Sequence, residues 1–177
     1  MRKRSNAVRY TALVGMMAAT IECAKLALAA IPNVEAVSLL IALYSYVFGW
    51  AGLLASLVFV SIEPLVWGFG TWMVSYFIYW PLLALLFVFF GKAKVNGRFV
   101  ITGAVVLSTF LFGILTSLVD IGLFSGSFDR FFYRFGIYYA RGVVFYVVHI
   151  VSNLVIFLFL FPYLKKFLTG IKDKIFR

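Results

Sequence analysis

Ionisable side chains that could bind a solute lie inside long apolar runs of this sequence. They are Glu22, Lys25, Glu63, Asp120, Arg141 and His149. A charged group placed in the hydrocarbon of a membrane costs about 3 kcal/mol by insertion scales, so such a group usually faces the bundle interior or a wet cavity. With the orientation predicted below, all six lie at mid-depth or toward the outer surface. This one-sided distribution predicts a polar cavity that opens to the outside.

The last apolar run arranges its polar residues as a helix would. His149 and Asn153 are four residues apart and project from nearly the same face, and Arg141 lies about two turns closer to the outside. These three side chains could line one wall at successive depths. The alternative for His149 is a satisfied interior histidine with no ligand.

Aromatic residues surround two glycines between the third and fourth runs. The rings around Gly68 and Gly70 belong to Trp67, Phe69, Trp72, Tyr76, Tyr79 and Trp80. Flat apolar rings beside a flexible turn suit a ligand that contains a ring. The two tryptophans are equally typical of an interfacial belt at the membrane surface. The candidate substrate-binding residues are Glu35, Glu63, Trp67, Trp72, Tyr76, Asp120, Tyr138, Arg141, His149 and Asn153.

Two of the charged sites have a purely structural interpretation. Glu22 and Lys25 are three residues apart, so they could form an ion pair on one helix. Asp120 follows Thr116 and Ser117 by four and three residues, and their hydroxyls could satisfy its carboxylate.

The motifs of common enzymes are missing from the sequence. It has one histidine and one cysteine, Cys23, which we interpret as a packing residue, and it has no H-E-x-x-H zinc motif and no phosphate-binding loop. We therefore predict that it is not an enzyme, that it carries no cofactor or metal, and that any ATP hydrolysis belongs to partner subunits. Two alternatives stay open: an intramembrane enzyme with His149 as base beside Asp120 or Glu63, and a proton-coupled exporter using Glu22 or Glu63.

Composition identifies the elements that must hold these residues. Of 177 residues, 64% are hydrophobic and 12% charged, whereas an average soluble domain is about half apolar and a quarter charged. We predict one all-α integral membrane domain over residues 1–177, a bundle of six transmembrane helices. The predicted spans are residues 10–31, 36–49, 51–67, 72–90, 99–124 and 140–163, with the second and third poorly separated.

The basic residues predict the orientation. Lysine and arginine cluster at the N-terminus, in the loop after the fourth span and in the C-terminal tail, and cytoplasmic loops carry such an excess. Six spans put the three clusters on one side, so both termini are expected in the cytoplasm. The net charge of +10 therefore reflects topology, and no nucleic-acid partner is expected. A cleaved signal peptide ending near Ala27-Leu28-Ala29 is the alternative for the first run.

Small residues recur along the first span. Thr11, Gly15 and Ala19 follow one another at intervals of four residues, a spacing that lets another helix approach closely. The helix they receive could belong to a partner protein or to this same bundle.

The chain resembles the S components of energy-coupling-factor (ECF) vitamin transporters over nearly its whole length. The resemblance rests on chain size and on the order of several short motifs, which are Pro32-Asn33-Val34-Glu35, Val66-Trp67-Gly68-Phe69-Gly70-Thr71-Trp72, Tyr139-Ala140-Arg141-Gly142, Val148-His149 and Asn153. It implies a multi-pass protein of a bacterial or archaeal cell membrane that captures a vitamin near the outer surface. It also implies docking, through an A-x-x-x-A-like face of the first helix, onto a transmembrane coupling subunit driven by two ATPases. Here Thr11, Gly15 and Ala19 replace the alanines, and no particular vitamin is indicated.

Overall fold

The computed structural model describes residues 2–31, 34–124 and 129–175. Over these residues the chain contains six α-helices, one π-helical turn and no strand. The helices are α1 (Arg2–Leu28), α2 (Val37–Phe48), α3 (Trp50–Trp67), α4 (Trp72–Lys92), α5 (Arg98–Val119) and α6 (Phe131–Ile175), and the π-helical turn is Asp120–Phe124. The predicted all-α class is therefore confirmed.

Five of the described helices are long and apolar enough to cross a membrane, namely α1, α3, α4, α5 and α6. The remaining helix, α2, is apolar but has only 12 residues, which at about 1.5 Å per residue gives about 18 Å. A hydrocarbon layer is about 30 Å thick. These helices have the length and composition of a multi-pass membrane protein, and α2 is too short to span such a layer upright.

The boundary between the second and third predicted spans is a single residue. Helix α2 ends at Phe48 and α3 begins at Trp50, with Gly49 between them at φ 63°. This left-handed conformation strains residues that carry a Cβ atom, and glycine adopts it readily. The chain reverses at Gly49, so the start of α2 and the end of α3 lie at the same end of the bundle.

The last helix is longer than the predicted span 140–163. Helix α6 has 45 residues, which corresponds to about 68 Å and exceeds the thickness of a hydrocarbon layer. Its first nine residues, 131–139, precede the predicted sixth span and belong to the segment 125–139 between the fifth and sixth predicted spans. Arg134 and the tyrosines in these nine residues lower the hydropathy without breaking the helix. Residues 125–128 of the same segment lie outside the described residues.

The bundle has two distinct ends. At one end, α1 and α3 end and α2 and α4 begin. We call this the hollow end, because the two hollows described below open there. At the opposite end, Lys165 Nζ of α6 donates to Asn96 Oδ1 (2.9 Å) and Lys172 Nζ donates to Val47 O (2.6 Å). These bonds join the C-terminal part of α6 to α2 and to the loop before α5.

Large apolar side chains fill the bundle between these ends. The largest that are fully buried include Ile21, Phe59, Trp80, Phe87, Phe157 and Phe161. Glycine permits the closest helix contact, because a Cβ atom at Gly52 of α3 would overlap the backbone of Tyr44 and Ser45 in α2. This close contact fixes the start of α2 relative to the end of α3, and Glu35 and Glu63 lie near these two positions.

Candidate functional site

Two adjoining hollows open at the hollow end of the bundle. The smaller has a volume of ≈ 200 Å³ and is lined by Lys25, Leu28, Ala29, Ile31, Val34, Glu35, Tyr76, Trp80, Phe112 and His149. The larger has a volume of ≈ 340 Å³ and is lined by Lys25, Ala29, Glu63, Trp67, Trp72 and Tyr76. Lys25, Ala29 and Tyr76 line both, so the two hollows form one continuous candidate site.

Two charged residues, Lys25 and Glu63, line the larger hollow, and a second acid, Glu22, interacts with Glu63 without lining the hollow. Lys25 forms an ion pair with Oε2 of Glu63, whose side chain is fully buried. Glu22 also interacts electrostatically with Glu63. Glu63 Oε1 and both carboxylate oxygens of Glu22 are buried without a hydrogen-bond partner among the described residues. The expected Glu22–Lys25 pair is thus replaced by a pair between α1 and α3.

Aromatic rings surround the Lys25 ammonium group. Its Nζ lies 5.2 Å from the ring centroid of Trp67, 5.3 Å from that of Tyr76 and 5.9 Å from that of Phe59. A cation within about 6 Å of a ring is attracted by the negative face of the π-system. The larger hollow therefore has the composition of an aromatic cage with a carboxylate at its wall.

A row of aromatic residues on α4 continues into the smaller hollow. Trp72 and Tyr76 meet edge to face at 5.0 Å between centroids, and Tyr76 and Trp80 do so at 5.7 Å. Their spacing of four residues puts all three on one face of the helix. The row offers flat apolar contact along both hollows, as a ring-containing ligand requires.

The smaller hollow contains a second acid–base pair. His149 Nε2 of α6 forms a hydrogen bond with Glu35 Oε1 at 2.8 Å, and Ser38 Oγ donates to the same oxygen at 2.8 Å. The Phe112 ring packs edge to face against the His149 ring with centroids 6.1 Å apart. The pair connects the start of α2 to α5 and α6 and fixes the orientation of both polar groups.

Asn153 lies one turn deeper than His149 and supports the pair from below. Its side chain is fully buried, and its Nδ2 donates to Thr109 Oγ1 at 3.0 Å and to Ser38 Oγ at 3.4 Å. Asn153 is not among the residues that line the two hollows. Asn153 therefore acts through Ser38, to which it donates a hydrogen bond and which itself donates one to Glu35.

Three predicted residues lie away from the two hollows. Arg141 is exposed, and its guanidinium carbon lies 5.8 Å from the ring centroid of Tyr138. It is eight residues before His149 on a continuous helix, a separation of about 12 Å. Asp120 begins the π-helical turn. The hydroxyls of Thr116 and Ser117, expected to satisfy its carboxylate, donate instead to Gly113 O.

Six of the ten predicted substrate-binding residues line the two hollows, and the structure adds others. The six are Glu35, Glu63, Trp67, Trp72, Tyr76 and His149. The additions are Lys25, Trp80 and Phe112. Trp80 belongs to the predicted aromatic group around Gly68 and Gly70, and the spacing of four residues that it shares with Trp72 and Tyr76 could have placed it among the binding residues, whereas nothing in the local sequence distinguishes Phe112. Pro32 and Asn33, part of one motif of the resemblance, lie outside the described residues.

The small-residue face of α1 points away from the rest of the bundle. Thr11, Gly15 and Ala19 are exposed, while the opposite face of α1 is buried. A Cβ atom built at Gly15 meets nothing within 4 Å. Within the part of the chain that the structure describes, α2 to α6 therefore leave this face uncovered.

Comparison of the chain with protein-family models, with curated proteins and with solved structures finds no match.

Proposed function

We propose that the chain is the substrate-binding subunit of an ECF-type importer, capturing a vitamin or related small heterocyclic micronutrient for ATP-driven uptake. The observation that carries this proposal is the continuous pair of hollows lined by aromatic rings and by buried acid–base pairs. Ligand sites are typically concave, mostly apolar and provided with a few fixed polar groups. The hollows at α1, α3, α4 and α6 have this character.

The size of the site fits a small ligand. The larger hollow, at ≈ 340 Å³, lies near the lower limit of the range of about 300 to 1,000 Å³ typical of ligand pockets, and the smaller, at ≈ 200 Å³, lies below it. One heterocyclic ring can pack against Tyr76 and Trp72, with a polar substituent directed toward Lys25 or Glu35. A ligand of one or two rings is the class we expect.

The proposed orientation puts the hollow end outside the cell. In this proposal α2 completes a sixth crossing where the bilayer is locally thinned around it, and an even number of crossings places both termini in the cytoplasm. Lys165 and Lys172 lie at the end of the bundle away from the hollows, in agreement with the excess of basic residues in cytoplasmic segments. The ligand then enters from the outside, where a micronutrient importer meets its substrate.

Transport requires partners in this proposal. The uncovered face of α1 at Thr11, Gly15 and Ala19 docks onto a transmembrane coupling subunit, and two ATPase subunits energise the complex. Small residues at intervals of four let helix backbones approach closely enough for extensive van der Waals contact within lipid. The chain itself is a binding protein and not an enzyme.

Reconstitution distinguishes this proposal from a proton-coupled transporter, which the buried Glu22–Glu63 couple would also suit. Vesicles containing the purified chain are supplied with radiolabelled vitamins, first under a proton gradient and then with the coupling and ATPase subunits and internal ATP. We expect binding without uptake in the first case and ATP-dependent uptake in the second. Uptake driven by the proton gradient in vesicles that contain this chain alone would refute the importer-subunit proposal.

A further inference from the structure

The side chains around the two hollows carry more acid than base. Three carboxyl groups, Glu22, Glu35 and Glu63, face two basic groups, Lys25 and His149. With all carboxyl groups ionised, the cluster has one net negative charge when His149 is protonated and two when it is neutral. Uncompensated charge is costly where water is scarce, so an additional positive charge would stabilise the occupied site.

The excess is located at Glu63. Glu35 has its own partners in His149 and Ser38, whereas the Lys25 ammonium group pairs with Glu63 and both carboxylate oxygens of the neighbouring Glu22 have no hydrogen-bond partner among the described residues. Glu63 Oε2 accepts from Lys25, and Oε1 has no hydrogen-bond partner in the described part of the chain. Glu63 is fully buried and lines the larger hollow, so a bound molecule can supply the missing donor.

The walls of the larger hollow also favour a cation. Lys25 Nζ already lies within 6 Å of the ring centroids of Phe59, Trp67 and Tyr76. Trp72 completes the wall through its edge-to-face contact with Tyr76. Electron-rich ring faces beside a carboxylate are the arrangement by which proteins bind organic ammonium groups. A carboxylate or phosphate ligand could pair with Lys25, which also lines the hollow, but only by drawing Lys25 away from Glu63 and leaving that buried carboxylate without its ion-pair partner.

We propose that the ligand is an organic cation whose positively charged nitrogen binds in the larger hollow against Glu63, beside Trp67 and Tyr76. Glu22 interacts electrostatically with Glu63 and adds to the negative potential that holds this nitrogen. This inference rests on the proposed function, because it names the charge class of the micronutrient that the importer subunit captures. Its uncharged portion lies along Tyr76 toward the smaller hollow.

The test uses micronutrients and related compounds of defined charge. The purified chain is titrated in a thermal-shift assay, confirmed by calorimetry, with permanent cations (thiamine, 1-methylnicotinamide, choline), neutral compounds (nicotinamide, riboflavin) and anions (nicotinate, biotin, pantothenate). A ligand stabilises the folded state by mass action. We expect at least one cation to raise the melting temperature, with no effect of the neutral or anionic compounds at equal concentration.

Variants then locate the charge. Glu63→Gln is expected to weaken cation binding about 10- to 100-fold, the range for a lost hydrogen bond to a charged group. Glu22→Gln is expected to weaken it less, and it serves as the second variant if Glu63→Gln fails to fold. Asp173→Asn, an exposed acid far along α6, is the matched control and should bind as the original chain does.

Three outcomes would overturn the inference. Stabilisation by neutral or anionic compounds alone would show a different charge class while leaving the importer-subunit proposal standing. Cation binding of unchanged affinity in both Gln variants would move the nitrogen away from Glu63. Binding of no compound in the panel would remove the support for a cationic micronutrient, and only the vesicle assay above would then decide the proposed function.

Discussion

Substitution of Gly15 by leucine separates the two roles proposed for this chain, ligand capture and partner docking. Gly15 is in the middle of the exposed face of α1, flanked one turn away by Thr11 and Ala19. A Cβ atom at Gly15 meets nothing within 4 Å. The larger side chain of Gly15→Leu therefore projects away from the bundle and toward whatever protein covers this face.

The structure gives the expected magnitudes for each role. Within the isolated chain, leucine removes the helix penalty of glycine, about 0.8 kcal/mol, and creates no clash, so the melting temperature should stay the same or rise slightly. At a closely packed helix interface the added side chain costs about 1 to 3 kcal/mol. Docking should then weaken about 5- to 150-fold, with ligand affinity unchanged.

The assay measures ligand binding by calorimetry and uptake in vesicles that also contain the coupling and ATPase subunits. Gly103→Leu is the matched control, because Gly103 is likewise an exposed helical glycine with nothing within 4 Å of a built Cβ atom. We expect Gly15→Leu to lose uptake and retain binding, and Gly103→Leu to retain both. Parallel loss of binding and uptake in Gly15→Leu, or normal uptake by it, would refute the docking role.

Two further substitutions test the site and the packing that holds it. His149→Ala should weaken ligand binding by about 1 to 3 kcal/mol, because it removes a buried hydrogen-bond partner from the smaller hollow. Arg141→Ala, whose side chain is exposed on an earlier turn of α6, should change the affinity by less than about 0.5 kcal/mol. If calorimetric titration ranks the two variants in the reverse order, the ligand binds nearer to Arg141 than to His149. Gly52→Ala should destabilise the chain by about 2 kcal/mol or more in thermal unfolding, since its Cβ atom would overlap the backbone of Ser45. The control Gly103→Ala should be neutral or slightly stabilising in the same experiment. Equal melting temperatures for the two variants would contradict the tight α2–α3 contact.

Hydropathy, together with the glycine- and proline-containing breaks between apolar runs, predicted most of the helices. The second and third predicted spans are poorly separated at Phe48-Gly49-Trp50, yet α2 ends and α3 begins within one residue of the predicted boundaries. The length of α6 could not be predicted in the same way, because hydropathy measures how much of a helix suits lipid and not how far the helix extends. Arg134 and three tyrosines lower the hydropathy of residues 131–139, and lysines lower that of residues 164–175, while the helix continues through both stretches.

The composition of the candidate site was more predictable than its pairing. Glu63, His149 and the aromatic group were found because polar residues in apolar runs and rings around glycines are conspicuous. The hydrogen-bond partners of Glu63 and His149 could not be found in this way, because Lys25 is 38 residues from Glu63 and Glu35 is 114 residues from His149. Spacing along one helix favoured a Glu22–Lys25 pair, and only the packing of α1 against α3 shows the alternative. Such contacts depend on how whole helices meet, which local sequence does not encode.

Native mass spectrometry of the purified chain against a vitamin panel, without ATP or partner subunits, tests most directly whether these buried polar groups surround a solute site. The account predicts one compound bound at a ratio of one to one, and a marked loss of that complex when Tyr76, which lines both hollows, is replaced in Tyr76→Ala. A chain that binds no compound of the panel, or a complex that is equally stable in Tyr76→Ala, would contradict it.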